Sequence, residues 1–299
     1  MKLLLPLLLL LCCTAFTHAQ TDSTSTDSTA TPSGISFGKG GFSLGASSPS
    51  VTLKKPTITM LYGVSGVSIH GNTSTINTVG SIDVGFGGVR VRPIDKENTV
   101  GEVSRTGLLL GFFSPEYTSK TDTTKPIVKG WKIGFLNTSG YAYLDTDKEP
   151  TLSLLHEGSI VWTSVNSTIP AGNLDGPSIT AFDHSYFGYQ TGAIVRYNVT
   201  NGIALDAQWQ RGVLYNDFSF FGWVGSVLIE QIGVGLLDGM VMDGMKKKSV
   251  KSLPVANLIL RTALSFGFSE LRRSTQHFPF KSSSPMIFDG FRIGTSISF

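Results

Sequence analysis

A carboxylate and an imidazole set close together can hold a water and take its proton, so Asp183 and His184, with His70, His277 and Asp217 elsewhere, are where hydrolytic chemistry would first be sought. The adjacency of Asp183 and His184 argues against it. Neighbouring residues of a strand point to opposite faces, and a water is hard to hold between them. Asp145-Thr146-Asp147-Lys148-Glu149 places carboxylates at alternate positions, but without the glycine and distal glutamate of a calcium loop it reads as a solvated turn. No phosphate-cradling glycine loop, zinc-ligand spacing or nucleophile elbow occurs. Both cysteines, Cys12 and Cys13, fall in the first twenty residues, so removal of that stretch leaves no thiol to ligate a metal or form a disulfide. No metal, cofactor or enzymatic activity is expected. A net charge of +3 over 299 residues offers no basic groove for nucleic acid.

The elements that carry these residues alternate with period two. Ile203, Leu205, Ala207 and Trp209 interleave with Ala204, Asp206, Gln208 and Gln210, placing apolar groups on one face and polar groups on the other. Tyr189 to Tyr197 and Asn257 to Phe266 read the same way. Strands of soluble sandwiches usually run about five or six residues, whereas crossing a bilayer at a tilt takes about 9–11. The longer runs here predict an all-β fold, a transmembrane antiparallel up-and-down barrel of about ten strands, with eight to twelve open and one short helical insert. Strands are expected near 57–70, 78–92, 105–118, 126–144, 150–165, 183–198, 202–215, 218–228, 253–269 and 286–299. The fourth could split at Asn137-Thr138-Ser139-Gly140.

Ahead of the barrel, Lys2, the apolar run Leu3 to Cys13 and Thr17-His18-Ala19 before Gln20 have the form of an export signal over 1–19. Residues 20–55 form a Ser/Thr/Asp-rich linker and N-terminal extension, and 56–299 the barrel. An even strand number puts both ends in the periplasm. His70, Asp183, His184 and His277 then fall at the outer rim. The loop Thr200-Asn201-Gly202 sets Arg196 opposite Asp206 and Tyr197 opposite Leu205. Inward positions carry Lys132, Arg196, Asp206, Arg261 and Arg292, four cations against one anion, as a plug of salt bridges or an anion-leaning passage. Trp131, Tyr141, Tyr143, Trp162, Trp209 and Phe299 suit interface girdles. The apolar segment Phe218 to Met245 is expected to start as a strand and continue as an amphipathic helix ending at Lys246-Lys247-Lys248. That helix could lie at the inner membrane surface, fold under the barrel or plug it.

The last residues, Phe291, Ile293, Thr295, Ile297 and the terminal Phe299, alternate with Arg292, Gly294, Ser296 and Ser298. This resembles the carboxy-terminal signal strand of bacterial outer-membrane β-barrel proteins. The resemblance implies a Gram-negative outer membrane, with its lipids and its assembly machinery as partners. The expected ten strands and the chain length are also similar to the omptin family of outer-membrane proteases, whose rim holds an Asp-His pair and a second Asp pair. That family separates its Asp and His by one residue, and no second acidic pair occurs here on a facing strand. Two functional classes remain: a structural or surface-interaction barrel whose extracellular ligand is unidentified, and a narrow channel for small solutes or an apolar ligand, gated by the 218–245 segment.

Overall fold

The computed structural model describes residues 53–299 except 96, 119–120, 148, 218, 249 and 281. The expected export signal and nearly all of the linker lie outside the described residues. Eight strands form one closed antiparallel barrel in chain order: β1 Leu53–Ile69, β2 Val79–Pro93, β3 Val100–Ser114, β4 Ile127–Leu144, β5 Pro150–Thr168, β6 Ser185–Asn198, β7 Ile203–Leu214 and β8 Met286–Ser298. β8 pairs with both β7 and β1, so no strand edge is left open. A short helix, α1 Gly176–Thr180, sits between β5 and β6, and two long helices, α2 Phe220–Lys248 and α3 Leu253–Leu271, lie between β7 and β8.

Period-two alternation sets the faces, and it runs opposite to that of a soluble barrel. Along β1, Thr57 and Thr59 are buried while Ile58, Met60, Tyr62 and Val64 are exposed. The same holds on β3, where Arg105 is inside and Leu108, Leu110 and Phe112 are outside. Contiguous exposed apolar surface on this scale is foreign to a monomer surrounded by water. At the end bearing the longer connections, an apolar cluster that includes Val79, Phe113, Val128, Ile179, Phe182 and Met286 closes the interior.

The β6–β7 hairpin has the register that its three-residue loop dictates. Val199 N donates to Ile203 O at 2.9 Å, Arg196 lies opposite Asp206, and Tyr197 lies opposite Leu205. β4 runs unbroken through Asn137–Gly140. Two expected strands are corrected. Of the expected strand 218–228, residues 220–228 open α2, and 253–269 form most of α3. The second segment carries two periods at once: its leucines alternate, but Asn257, Arg261, Ser265 and Ser269 recur every fourth residue, which is one stripe of a helix. Few of its residues are β-branched, so propensity also favours the helix. The two segments still traverse the barrel wall downward and back as the strand reading required, but outside the sheet.

Candidate functional site: the filled lumen and the outer-wall clasp

The interior polar groups meet across the barrel by one recurring device, a glycine between two long side chains. Asp83, Gly111 and Lys132 stand abreast on β2, β3 and β4. Lys132 Nζ passes over Gly111 to donate to Asp83 Oδ2 at 2.9 Å. A Cβ on Gly111 would stand 2.2 Å from Asp83 Oδ1 and 2.5 Å from Lys132 Cε. From the other side Arg292 crosses Gly63, its β1 neighbour, and its Nε reaches Ser81 Oγ and Asp83 Oδ2, each at 3.1 Å. Glu157, Gly192 and Gln210 repeat the arrangement on β5, β6 and β7, with Gln210 Nε2 donating to Glu157 Oε1 at 3.1 Å and Gln208 donating to the same carboxylate.

Arg196 completes the network. Its Nε and Nη2 donate to the two oxygens of Asp206 at 2.7 and 3.0 Å, and Nη2 also reaches Ser296 Oγ at 2.8 Å. Arg105 Nη2 donates to Thr59 Oγ1 at 2.5 Å. Lys132, Arg196, Asp206 and Arg292 therefore point inward, but Arg261 does not; it lies on α3 outside the wall. Asp83, Arg105 and Glu157 also point inward, so the expected excess of four cations over one anion becomes four over three. A void bounded by Asp83, Arg105, Glu157, Arg196 and Asp206 measures about 20 Å³, and another between Lys132, Gln190 and Phe113 about 30 Å³, room for about a water or two each. A larger hollow of about 230 Å³ opens at the end of the barrel that holds the β6–β7 loop, between Lys55, Glu149, Ser153 and Arg196. Lys55 and Glu149 close its lip with a 2.7 Å ion pair.

At the opposite rim the expected chemical residues are dispersed into structural roles. His70 and His184 are exposed, in the first and third outward connections. Asp183 accepts a hydrogen bond from Ser167 Oγ at 2.8 Å. His277 packs on Tyr215 with ring centroids 5.3 Å apart, and its Nε2 accepts the backbone N–H of Ser219 at 3.1 Å. The same Nε2 also lies 3.1 Å from the Asp217 carbonyl, and burial lowers the pKa of the ring. No group of three or more His, Cys, Asp or Glu side chains fit for a metal occurs among the described residues. Sequence reasoning missed what the rim does hold. Asp175 accepts the backbone N–H groups of Thr73 and Ser74 at 2.9 and 2.5 Å, tying the first outward connection to the third. Asn77 Nδ2 donates to the carbonyls of Asp122, Lys125 and Pro126, tying the first to the second.

The second cluster lies on the outer wall. Ser139 faces His156 across β4 and β5, and His156 Nε2 contacts Thr191 Oγ1 on β6 at 3.2 Å, so the wall carries a polar patch where its neighbours are apolar. α3 covers it, turning Asn257, Arg261, Ser265 and Ser269 inward and donating from Arg261 Nη1 to Ser139 Oγ at 2.7 Å. Further up, Arg211 on β7 binds Asp289 on β8 and both Ser269 and Glu270 on α3, with its guanidinium 4.5 Å from the Phe266 ring centroid. Arg272 and Glu230 join α3 to α2 through a buried 2.7 Å ion pair, backed by Ser226 Oγ at 2.9 Å. Trp209 and Tyr141, expected in a girdle, lie under this hairpin, Trp209 against Phe266 and Tyr141 against Leu253.

These features define a class: an up-and-down barrel with a charge-paired interior, an apolar exterior and a helical hairpin strapped to its outer wall. Among solved structures, the chain is similar to the attachment invasion locus protein Ail of Yersinia pestis, at a TM-score of 0.28 and 8% identity, over 82% of this chain and 98% of that one. No family model and no curated protein matches the chain.

Proposed function

We propose that the chain is a bacterial outer-membrane barrel with a structural or surface-interaction role, in which the wall meets lipid, the barrel termini face the periplasm and the outward connections meet an external partner. The observation that carries the non-conducting part of this reading is the lumen, where Lys132 and Arg292 bind Asp83, Arg196 binds Asp206, and the voids measured beside them are about 20 and 30 Å³. The exposed apolar exterior supports the membrane setting. The bonds from Asp175 and Asn77 support the surface role, because connections already tied together lose little freedom on binding. The α2–α3 segment, expected as a possible gate, lies against the outer wall, away from the lumen it would have to close.

The test is single-channel recording of the purified protein in planar bilayers. The membrane should stay silent, and steady conductance steps that survive purification would replace this reading with a channel. The role is also non-catalytic. Peptide or lipid substrates should yield no product whose formation is lost on His184→Ala.

A further inference from the structure

The hairpin presents an inverted surface. The face of α3 that touches the barrel is mainly polar, with Phe266 set against Trp209 and Arg211, whereas the face turned away carries Val255, Ile259 and Leu260, and α2 adds Ile232 and Leu236. Ile259 is 60% exposed and Leu236 62%, as open as the bare-wall residues Met60 and Phe291. The hairpin also runs the height of the wall. Near the outward end Trp223 packs edge-on to Phe187, with centroids 5.1 Å apart, and at the other end Leu253 packs with Val100 and Tyr141. No described helix is long and apolar enough to cross a membrane by itself. Two members of the polar stripe of α3 have partners on the wall, Arg261 at Ser139 and Ser269 at Arg211.

From this we infer that α2 and α3 are embedded in the hydrocarbon layer beside the barrel and that their outward face binds lipid acyl chains. The inference rests on the membrane reading above. Its occupant follows from continuity: the exposed face of the hairpin continues the belt formed on one side by Trp131 and Ile133 of β4 and on the other by Leu205 and Ile293. A polar stripe facing lipid would leave its hydrogen-bonding groups unsatisfied. Docked on the polar patch, Arg261 and Ser269 of the stripe are hydrogen-bonded to Ser139 and Arg211, and the described side chains Val255, Ile259, Leu260, Ile232 and Leu236 turned to the bilayer are apolar. The wall and hairpin thus form one lipid-facing surface of strands and helices.

The sequence has no cysteine after Cys13, so with Cys12 and Cys13 changed to Ser, variants with one added cysteine can be labelled cleanly. Ile259→Cys and Leu236→Cys would probe the hairpin, Leu110→Cys the bare wall and Thr124→Cys an outward connection. Each is labelled with a fluorophore in the full chain, reconstituted in phosphatidylcholine vesicles containing acyl-chain spin labels, and checked for compact migration on an unboiled gel. The inference expects the fluorescence at 259 and 236 to be quenched as strongly as at 110 and shielded from aqueous iodide, with 124 behaving oppositely. Quenching at 110 but not at 259 and 236, with iodide reaching the latter two, would overturn it and leave the membrane barrel standing. Quenching at 259 that disappears as protein density rises would assign the face to a second copy, also overturning it. Absence of quenching at 110 would overturn the membrane reading itself.

Discussion

At Asp83 one carboxylate serves two cations, Lys132 and Arg292, with its side chain almost wholly buried. Removing the anion strands two charges, and breaking a buried pair from one side costs about 3–5 kcal/mol. Asp83→Ala should therefore lower the unfolding free energy of the barrel, measured by urea titration, by that order, whereas a change at the exposed Asp122 should not. Gly111→Val should act on the same pair without touching either charge, since its side chain would occupy the space through which Lys132 reaches; overpacking of this kind costs about 1–3 kcal/mol. At the rim, hydrogen bonds from Ser74 and Thr73 lower the pKa of Asp175. A carboxylate with a depressed folded-state pKa contributes stability above its unfolded value and loses it as pH falls through the depressed one. The Thr73 and Ser74 amide resonances should therefore shift with a midpoint below the ordinary aspartate value of about 3.9, and should show no such titration in Asp175→Asn. The inward positions of Lys132, Arg196, Asp206 and Arg292 were legible because their strands alternate cleanly. Asp83 and Glu157 were not. The glycines of β2 blur its alternation, and His156 beside Glu157 gives β5 two adjacent polar residues of which only one points in. The pattern that would have found them is a polar residue facing a glycine on the next strand.

For the elements, strand length and alternation were enough to locate all eight strands to within a few residues, apart from a later expected start for β3. They failed at 218–228 and at 253–269, and in the second of these alternation and a four-residue polar stripe coexist and only the wall decides between them. Asn257, Arg261, Ser265 and Ser269 have a reason to be helical once Ser139 and Arg211 stand opposite, and nothing local reveals that. The hairpin itself hangs on Glu230 and Arg272. Arg272→Leu would leave Glu230 buried and unpaired, a loss of about 3–5 kcal/mol. Because the strand ladder does not pass through this pair, the expected result is faster protease cleavage within 219–284 while the unboiled barrel keeps its compact migration. Slower migration alongside cleavage would show that the hairpin is part of what closes the barrel.

Across the whole molecule, the inside-out distribution of polar and apolar residues follows from the sequence, because period two assigns every residue of a long strand to one face. The strand count does not follow, since it depends on which apolar runs join the sheet. Folded material should migrate compactly before boiling and more slowly after it, and its circular dichroism should combine strand with a distinct helical contribution from α2 and α3. The sharpest check is the adjacency of β7 and β8, which the helical reading of 218–271 requires. Ala207 lies directly opposite Ile293, both on the outer face. The double variant Ala207→Cys/Ile293→Cys, oxidised in the folded protein, should form an intramolecular disulfide across the two strands. Failure to cross-link here in compactly migrating protein would place other strands between β7 and β8 and contradict the eight-stranded barrel with its hairpin outside.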